Sequence, residues 1–387
     1  MEDLIYLDNG ATSFPKPEAV YAFMDEFYRN NGVSPGRSGY DLSIETGNII
    51  ENTRKLLCDH VNGTDPNRLI FSANSTDALN LAIHGILEPG DHVITTHVEH
   101  NAVLRPLHHQ SRDNGVEVTY LPFDENGFVH AHQVKAALKP NTKLVVVNHA
   151  SNVIGTIQPV ADIGAVCKGA GVLFIVDASQ SAGKLPIDVQ AMHIDVLAFT
   201  GHKSLLGPTG TGGLYVAEGV EIRHTRAGGT GVKSAVRPHL DEYPWRLEYG
   251  TLNVVGIAGL YAGLKWVLDQ GMDKIHHREM ELVKQMRDGL NRLDGVTCYC
   301  VNDLEDHIGV LSFNVEGMEA ASTGTILDGE YNIAVRTGLQ CAPLVHEQLG
   351  TDKRHGTVRM GFGPFNTPTH VEKALAAVAD IVKYYVK

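Results

Sequence analysis

Seven short apolar, β-rich runs recur between helical patterns from about residue 68 to 217: RLIFSA, HVITT, EVTYLPF, KLVVVNHA, VLFIVDA, VLAFTG and GGLYVA. Alternation of this kind predicts an α/β fold, a largely parallel sheet with helices on both faces. The segments LVVV and LFIV are continuously apolar, as expected of strands buried on both sides. Several runs hand over to polar residues: Asn74 to Thr76, His97 to His100, Asn148 to Asn152, Asp177 to Gln180, and Thr200 to Lys203. In an open α/β sheet, ligands bind beyond the carboxyl ends of the strands, so these clusters are the first candidates for a site.

The pattern changes after residue 217. Residues 218–250 are rich in Gly, Pro, Arg and His with weak periodicity and read as a long loop. Helical patterns return at 254–270 and 273–293. Strand-like runs VTCYC, GVLSFNV, NIAVRT and TVRMGF then precede a last amphipathic helix at about 369–385. This part fits a smaller α+β domain. A chain of 387 residues accommodates two domains. The expected division is a large domain over 15–252 and a small one made from 1–14 and 253–387.

With 43% apolar residues the chain can bury a substantial core. Lys and Arg number 32 against 45 Asp and Glu, and the net charge of −13 disfavours non-specific binding to nucleic acid or anionic membrane. The start, MEDLIYLDNGATS, has neither the basic residues nor the apolar run of a secretory signal, so a cytoplasmic location is expected. LNVVGIAGLYAGLKWVL is interrupted by Asn253 and Lys265 and falls short of the roughly 20 residues that span a bilayer. It reads as a buried helix. The five cysteines are too few and too scattered for a disulfide framework. Cys58 and Cys167 fall on amphipathic helical patterns and read as buried, and strand alternation puts the sulfurs of Cys298 and Cys300 on one face. No metal is expected: HVEH, ending at His100, lacks a third ligand at a recognisable spacing, and His108-His109 and His276-His277 read as exposed helix positions.

The stretch AFTGHKSLLGPTGTGG places Lys203 just beyond a buried strand. A lysine there is either a surface residue or one held with a lowered pKa, able to form a Schiff base with an aldehyde. Asp177 ends another strand in VLFIVDASQ. Its carboxylate is either a helix cap or a partner for a protonated ring nitrogen. Ser75 and Thr76 lie where a strand turns into a helix, either as caps or as part of an anion site on the helix amides.

Taken together, these segments resemble the class V, fold-type I pyridoxal-phosphate enzymes, and within them the SufS-like cysteine desulfurases. The matching segments are YLDNGATS, NSTDALNLA, VEHNAV, NHASNVIGT, VDASQSAG, FTGHKSLLGPTGTGGLYV, YGTLN, RTGLQCAP and TVRMGFGPFNT, in the family's order from end to end. The resemblance implies pyridoxal 5'-phosphate as cofactor, bound covalently by Lys203. Asp177 would pair with the pyridine nitrogen, Gln180 would contact the ring hydroxyl, and His100 would stack on the ring and assist proton transfer. Ser75, Thr76, Thr200 and His202 would hold the phosphate, joined by Thr251 from a second subunit, which makes a homodimer obligatory. Asn152 and Arg359 would bind the substrate carboxylate, with Arg336 close by.

The implied reaction converts L-cysteine to L-alanine. The freed Lys203 amine removes the Cα proton, and the thiolate of Cys341 attacks the substrate sulfur and leaves a persulfide for a protein acceptor. A flexible segment around Cys341 would suit that transfer. L-selenocysteine is an alternative substrate, and a selenocysteine lyase, C–S lyase or aminotransferase is the nearest rival. A nicotinamide-dependent oxidoreductase lacks support, because no G-x-G-x-x-G follows an early strand. The chain departs from the family pattern at Leu339 and Gln340, where histidines usually precede the cysteine, at Leu252 in place of a proline, and at Asn74 in place of a glycine.

Overall fold

The computed structural model describes residues 4–35 and 40–386, so the first three residues of the acidic start and the final lysine lie outside it. Its central sheet has seven strands, and sequence order differs from spatial order. The strands are β2 (Leu69–Ser72), β3 (His92–Thr96), β4 (Glu117–Leu121), β5 (Thr142–Asn148), β6 (Leu173–Asp177), β7 (Val196–Thr200) and β8 (Gly212–Val216). They lie in the order β2-β8-β7-β6-β5-β3-β4. Every neighbouring pair is parallel except those made by β8, which runs antiparallel to both β2 and β7. The β7–β8 connection is too short for the crossover that a parallel return requires, so the chain doubles back. Glycine makes the insertion possible: a Cβ at Gly213 would lie 2.2 Å from the Ile70 carbonyl oxygen.

The continuously apolar strands are buried on both faces, as the sequence predicts. Val145 and Val147 of β5, with Phe174 and Val176 of β6, face one core. That core is closed by α2 (Asp41–His60), α5 (Ala131–Ala137), α6 (Val160–Ala170) and α7 (Val254–Gln270). Leu144, Val146 and Ile175 face the other, closed by α3 (Ser75–Ile86) and α4 (Asn101–Asn114). Each such side chain removes apolar surface from water worth about 1.5–3 kcal/mol.

A second body contains the four-stranded antiparallel sheet β12-β13-β10-β9. Its strands are β9 (Val296–Cys298), β10 (Val310–Val315), β12 (Arg336–Gly338) and β13 (Thr357–Gly361). The short strands β1 (Ile5–Tyr6) and β11 (Ile333–Ala334) pair beside it in parallel. Helices α8 (Met272–Leu290), α9 (Ala320–Tyr331) and α11 (Pro368–Tyr384) share its core with Leu311, Phe313, Val358 and Met360. Helix α7 packs instead with the large sheet and with α2 and α1 (Glu18–Asn31).

Two local readings are corrected, and a third stands. Cys298 and Cys300 do not share a face. The strand stops at Cys298, and Cys300 takes a left-handed φ of 52° that turns it from the small body's core to the large one. His276 is half-buried, with an unpartnered Nδ1, while His277, His108 and His109 are exposed. Cys58 and Cys167 are buried. No helix among the described residues is long and apolar enough to cross a membrane.

Residues 218–250 contain no helix or strand, yet the loop is anchored. Glu248, 7% exposed, receives Arg54 Nη1 at 2.8 Å and Nη2 at 3.1 Å, and the Phe71 amide at 2.7 Å. Removing one partner of a buried pair leaves an uncompensated charge. Glu248→Ala is therefore expected to lower unfolding free energy by about 3–5 kcal/mol, read as a drop in the denaturant midpoint at unchanged slope. A loss below about 1 kcal/mol, the scale of an exposed pair, would show that this contact does not anchor the loop.

Candidate active site

The carboxyl ends of β2, β3, β5, β6 and β7 open into one cleft of about 310 Å³, closed from the other side by β12, β13 and the turn after residue 338. Every residue to which the resemblance gives a cofactor, substrate or catalytic role lines this cleft except Thr251. Thr251 is exposed and borders two other clefts of the same chain.

Helix α3 starts here because Asn74 caps it, its side chain accepting from the Asp77 amide. That cap holds Ser75 and Thr76 at the helix N-terminus, where free amides favour an anion. Ser75 Oγ donates to Asp177 Oδ1 at 3.2 Å, and the Ser179 amide and hydroxyl donate to the same oxygen at 2.9 and 2.5 Å. Asp177 itself borders the cleft. Gln180 Nε2 donates to the Gly10 carbonyl at 2.8 Å, tying the N-terminal segment to the sheet edge.

Lys203 stands in the turn after β7. Burial pushes its ammonium down to about 8; Arg359 adds to this, and Asp177, Cys341 and Asp8 oppose it. At pH 7 about a tenth of such a lysine is the free amine, against less than about a thousandth for an ordinary one. The rate of Schiff-base formation with added pyridoxal phosphate, followed by absorbance, should therefore rise with pH and level off above about 8. A rate still climbing at pH about 10 would assign Lys203 an ordinary lysine pKa.

His100 caps α4, its Nδ1 accepting from the Ala102 amide at 3.0 Å. Burial and the Lys203 charge push it down to about 4, so near pH 7 it is neutral, with its proton on Nε2. Burial likewise pushes His202 to about 4.

Arg359 is 3% exposed. Its Nη2 donates to Asp8 Oδ1 at 2.7 Å and its Nη1 to the Asn152 carbonyl at 2.9 Å. Burial holds this guanidinium below its ordinary range despite Asp8. Arg336 is paired with Arg359 across β12 and β13, which puts a second cation on the same side. Asn152 Nδ2 donates to the Gln340 carbonyl at 2.7 Å, so the loop after β5 and the cysteine turn are joined.

Cys341 is exposed, and the segment around it, which the sequence reading expects to be flexible, carries main-chain hydrogen bonds. The Asn101 amide donates to the Cys341 carbonyl at 2.7 Å, and the Ala342 amide to the Leu339 carbonyl at 2.9 Å.

Two residues escaped the sequence reading. Asp8 lies in YLDNGATS, 351 positions from the arginine it holds, and only folding reveals the pair. Glu99 lies inside HVEH, a segment read for its histidines. It is fully buried, and Thr96 Oγ1 at 2.7 Å and the Asn148 amide at 3.0 Å donate to its Oε1. Burial pushes its carboxyl up to about 8, so it joins the ends of β3 and β5 as a neutral acid. A charged residue three positions past a buried strand was the available signal. Among the described residues no group of His, Cys, Asp or Glu could hold a metal ion, and His97 bonds to Gln348 at 2.9 Å.

The cleft is built for a polar ligand. Among the described residues Thr200 Oγ1, His202 Nδ1, Asn152 Oδ1 and Arg359 Nε are buried without a partner. Each such group costs about 1–3 kcal/mol until something satisfies it. All four residues border the space beside Lys203. Thr200 Oγ1 and Arg359 Nε can donate to an anion while Asn152 Oδ1 accepts; an acidic small molecule with an aldehyde fits such a set beside Lys203, and pyridoxal phosphate has that chemistry.

Comparison with known proteins places the architecture in a class. The chain belongs to the class-V aminotransferase family, whose model matches residues 5–374. It is 35% identical, over 99% of its length and 95% of the relative's, to a probable cysteine desulfurase of Pyrococcus abyssi. It is 31% identical to a cysteine desulfurase of Yersinia pestis, covering 99% of this chain and 94% of that one. Among solved structures, an apo cysteine desulfurase from Thermococcus onnurineus NA1 aligns with a TM-score of 0.92 at 35% identity, covering 99% of this chain and 95% of that one. The cysteine desulfurase CsdA of Escherichia coli aligns with a TM-score of 0.88 at 29% identity, covering 100% and 96%.

Proposed function

We propose that this protein is a pyridoxal-phosphate-dependent cysteine desulfurase that converts L-cysteine to L-alanine and collects the sulfur as a persulfide on Cys341. The observation that carries this reading is the meeting, in one cleft, of Lys203, Asp177, Arg359 and a cysteine. An aminotransferase has no need of that thiol.

Lys203 would hold the cofactor aldehyde, Asp177 its ring nitrogen, Gln180 its ring hydroxyl, and His100 the ring face. Ser75, Thr76, Thr200 and His202 would hold the phosphate. When bound, the cofactor withdraws electrons from the substrate Cα. The chain's residues do the rest. Arg359, held by Asp8, grips the substrate carboxylate in a two-pronged contact, with Asn152 and Arg336 beside it. Lys203 Nζ, a free amine at accessible pH, takes the Cα proton, and neutral His100 offers an Nε2 proton on the cleft side. The Cys341 thiolate attacks the substrate sulfur, an S–S bond forms, the C–S bond breaks, and its electron pair stays with the carbon fragment. Thiol and L-cysteine thus become persulfide and L-alanine without an outside oxidant.

The finer assignments belong to the same proposal. They are membership of the SufS-like group, a cytoplasmic homodimer in which Thr251 serves the partner's phosphate site, and transfer to a protein acceptor in iron–sulfur cluster assembly. L-selenocysteine is a second substrate to test. The two-domain division is also proposed, and the packing of α7 on α1 and α2 favours a boundary beyond Gln270 rather than at 252. Incubating the holoenzyme with L-cysteine, while following L-alanine and protein persulfide, tests the reading. No alanine would overturn it.

A further inference from the structure

We propose that Gln340 is a positioning residue whose side chain locks the turn that aims Cys341 into the cleft, so that sulfur transfer depends on Gln340 while proton chemistry at Lys203 does not. The inference rests on the desulfurase reading for its kinetic part only.

Gln340 and Cys341 follow each other with φ of 41° and 59°, the left-handed region that residues other than glycine seldom enter. Two such residues in succession persist only where their surroundings hold them. The neighbours also differ in burial: Leu339 is 41% exposed, Gln340 is 6% exposed, and Cys341 is exposed. Gln340 therefore points inward while the thiol stays free. Its Nε2 donates to the Thr357 carbonyl of β13 at 2.8 Å, and its Oε1 accepts from Thr357 Oγ1 at 3.3 Å. His346, on α10 (Pro343–Leu349), meets the same Oε1 through Nε2 at 2.9 Å, and its Nδ1 lies 2.8 Å from Thr351 Oγ1. Burial pushes His346 down to about 4, so it is neutral, with Nε2 the donor to Gln340 and Nδ1 the acceptor from Thr351.

An amide suits this place because it offers a donor to a carbonyl and an acceptor to an imidazole. A carboxylate would repel the Thr357 carbonyl, and an aliphatic side chain would leave both partners unsatisfied. With the Asn152 contact to the Gln340 carbonyl, the side chain ties the cysteine turn to β13, α10 and the loop after β5 together. Sulfur attack needs near-contact alignment, and displacement of about 1 Å is enough to lose it.

The test compares the native holoenzyme with Gln340→Ala and with Gln340→Leu, which keeps the volume without the hydrogen bonds. Hydrogen exchange of the amides at 339–342 should quicken by about tenfold in both variants while the segment 196–203 keeps its native rate. Persulfide formation from L-cysteine should fall by about tenfold or more. Cα hydrogen exchange of L-alanine in deuterium oxide, which needs Lys203 but no thiol, should stay within about twofold. Unchanged amide exchange at 339–342 would overturn the proposal, and so would equal losses in persulfide formation and alanine exchange, which mark a general fold defect. If the native enzyme makes no persulfide, the desulfurase reading fails, and the amide exchange alone decides on the clamp.

Discussion

Lys203→Ala is expected to reduce L-cysteine turnover by about 10³-fold or more and to abolish the visible absorbance of covalently held cofactor. Under the proposed reading two roles converge on one atom: Nζ would be the attachment point and the group that accepts the Cα proton. General-base contributions alone reach about 10²–10⁴-fold. Both roles need a free amine, which burial supplies by pushing Lys203 down to about 8. The replacement also removes a buried cation beside Arg359, so the variant should fold at least as well as the native chain. A folded Lys203→Ala enzyme with turnover within about tenfold of native would show that another residue takes the proton.

Cys341→Ser is expected to eliminate protein persulfide and to cut alanine formation from L-cysteine by about 10²-fold or more, since a hydroxyl lacks the nucleophilicity of a thiolate. Cα hydrogen exchange of L-alanine should continue near the native rate, because Lys203 and Arg359 are untouched. That split separates sulfur transfer from the rival activities. A C–S lyase or an aminotransferase would keep its rate in Cys341→Ser, and such a result would remove the desulfurase reading. The side chain is exposed, so no loss of stability accompanies the change.

Much of the large body was legible because its signal is periodic. LVVV and LFIV alternate between two cores, Val145 and Val147 on one and Leu144 and Val146 on the other, so continuous apolarity meant burial on both faces. The candidate site was legible for a related reason: the apolar runs give way to polar residues at the strand ends, and β2, β3, β5, β6 and β7 end in one cleft. Local pattern says least where distant packing takes over. Cys300 leaves its strand by a left-handed turn, and α7 packs with the large body despite following a long loop. The segment holding Cys341 read as flexible because its anchors, Asn101, Asn152 and Thr357, come from distant parts of the chain.

By itself the sequence determined the kinds of chemistry available: a post-strand lysine, a strand-end aspartate, an arginine suited to carboxylates and a cysteine in a distinctive setting. Those identities are covalent and need no fold to be read. Only the tertiary structure decided which of them act together and in what state. Asp8 reaches Arg359 across 351 residues, and Glu99 is neutral because it is wholly buried. Lys203 loses its proton more readily than an ordinary lysine because desolvation outweighs the carboxylate near it. Contact and desolvation depend on distance in space, which spacing along the chain does not encode.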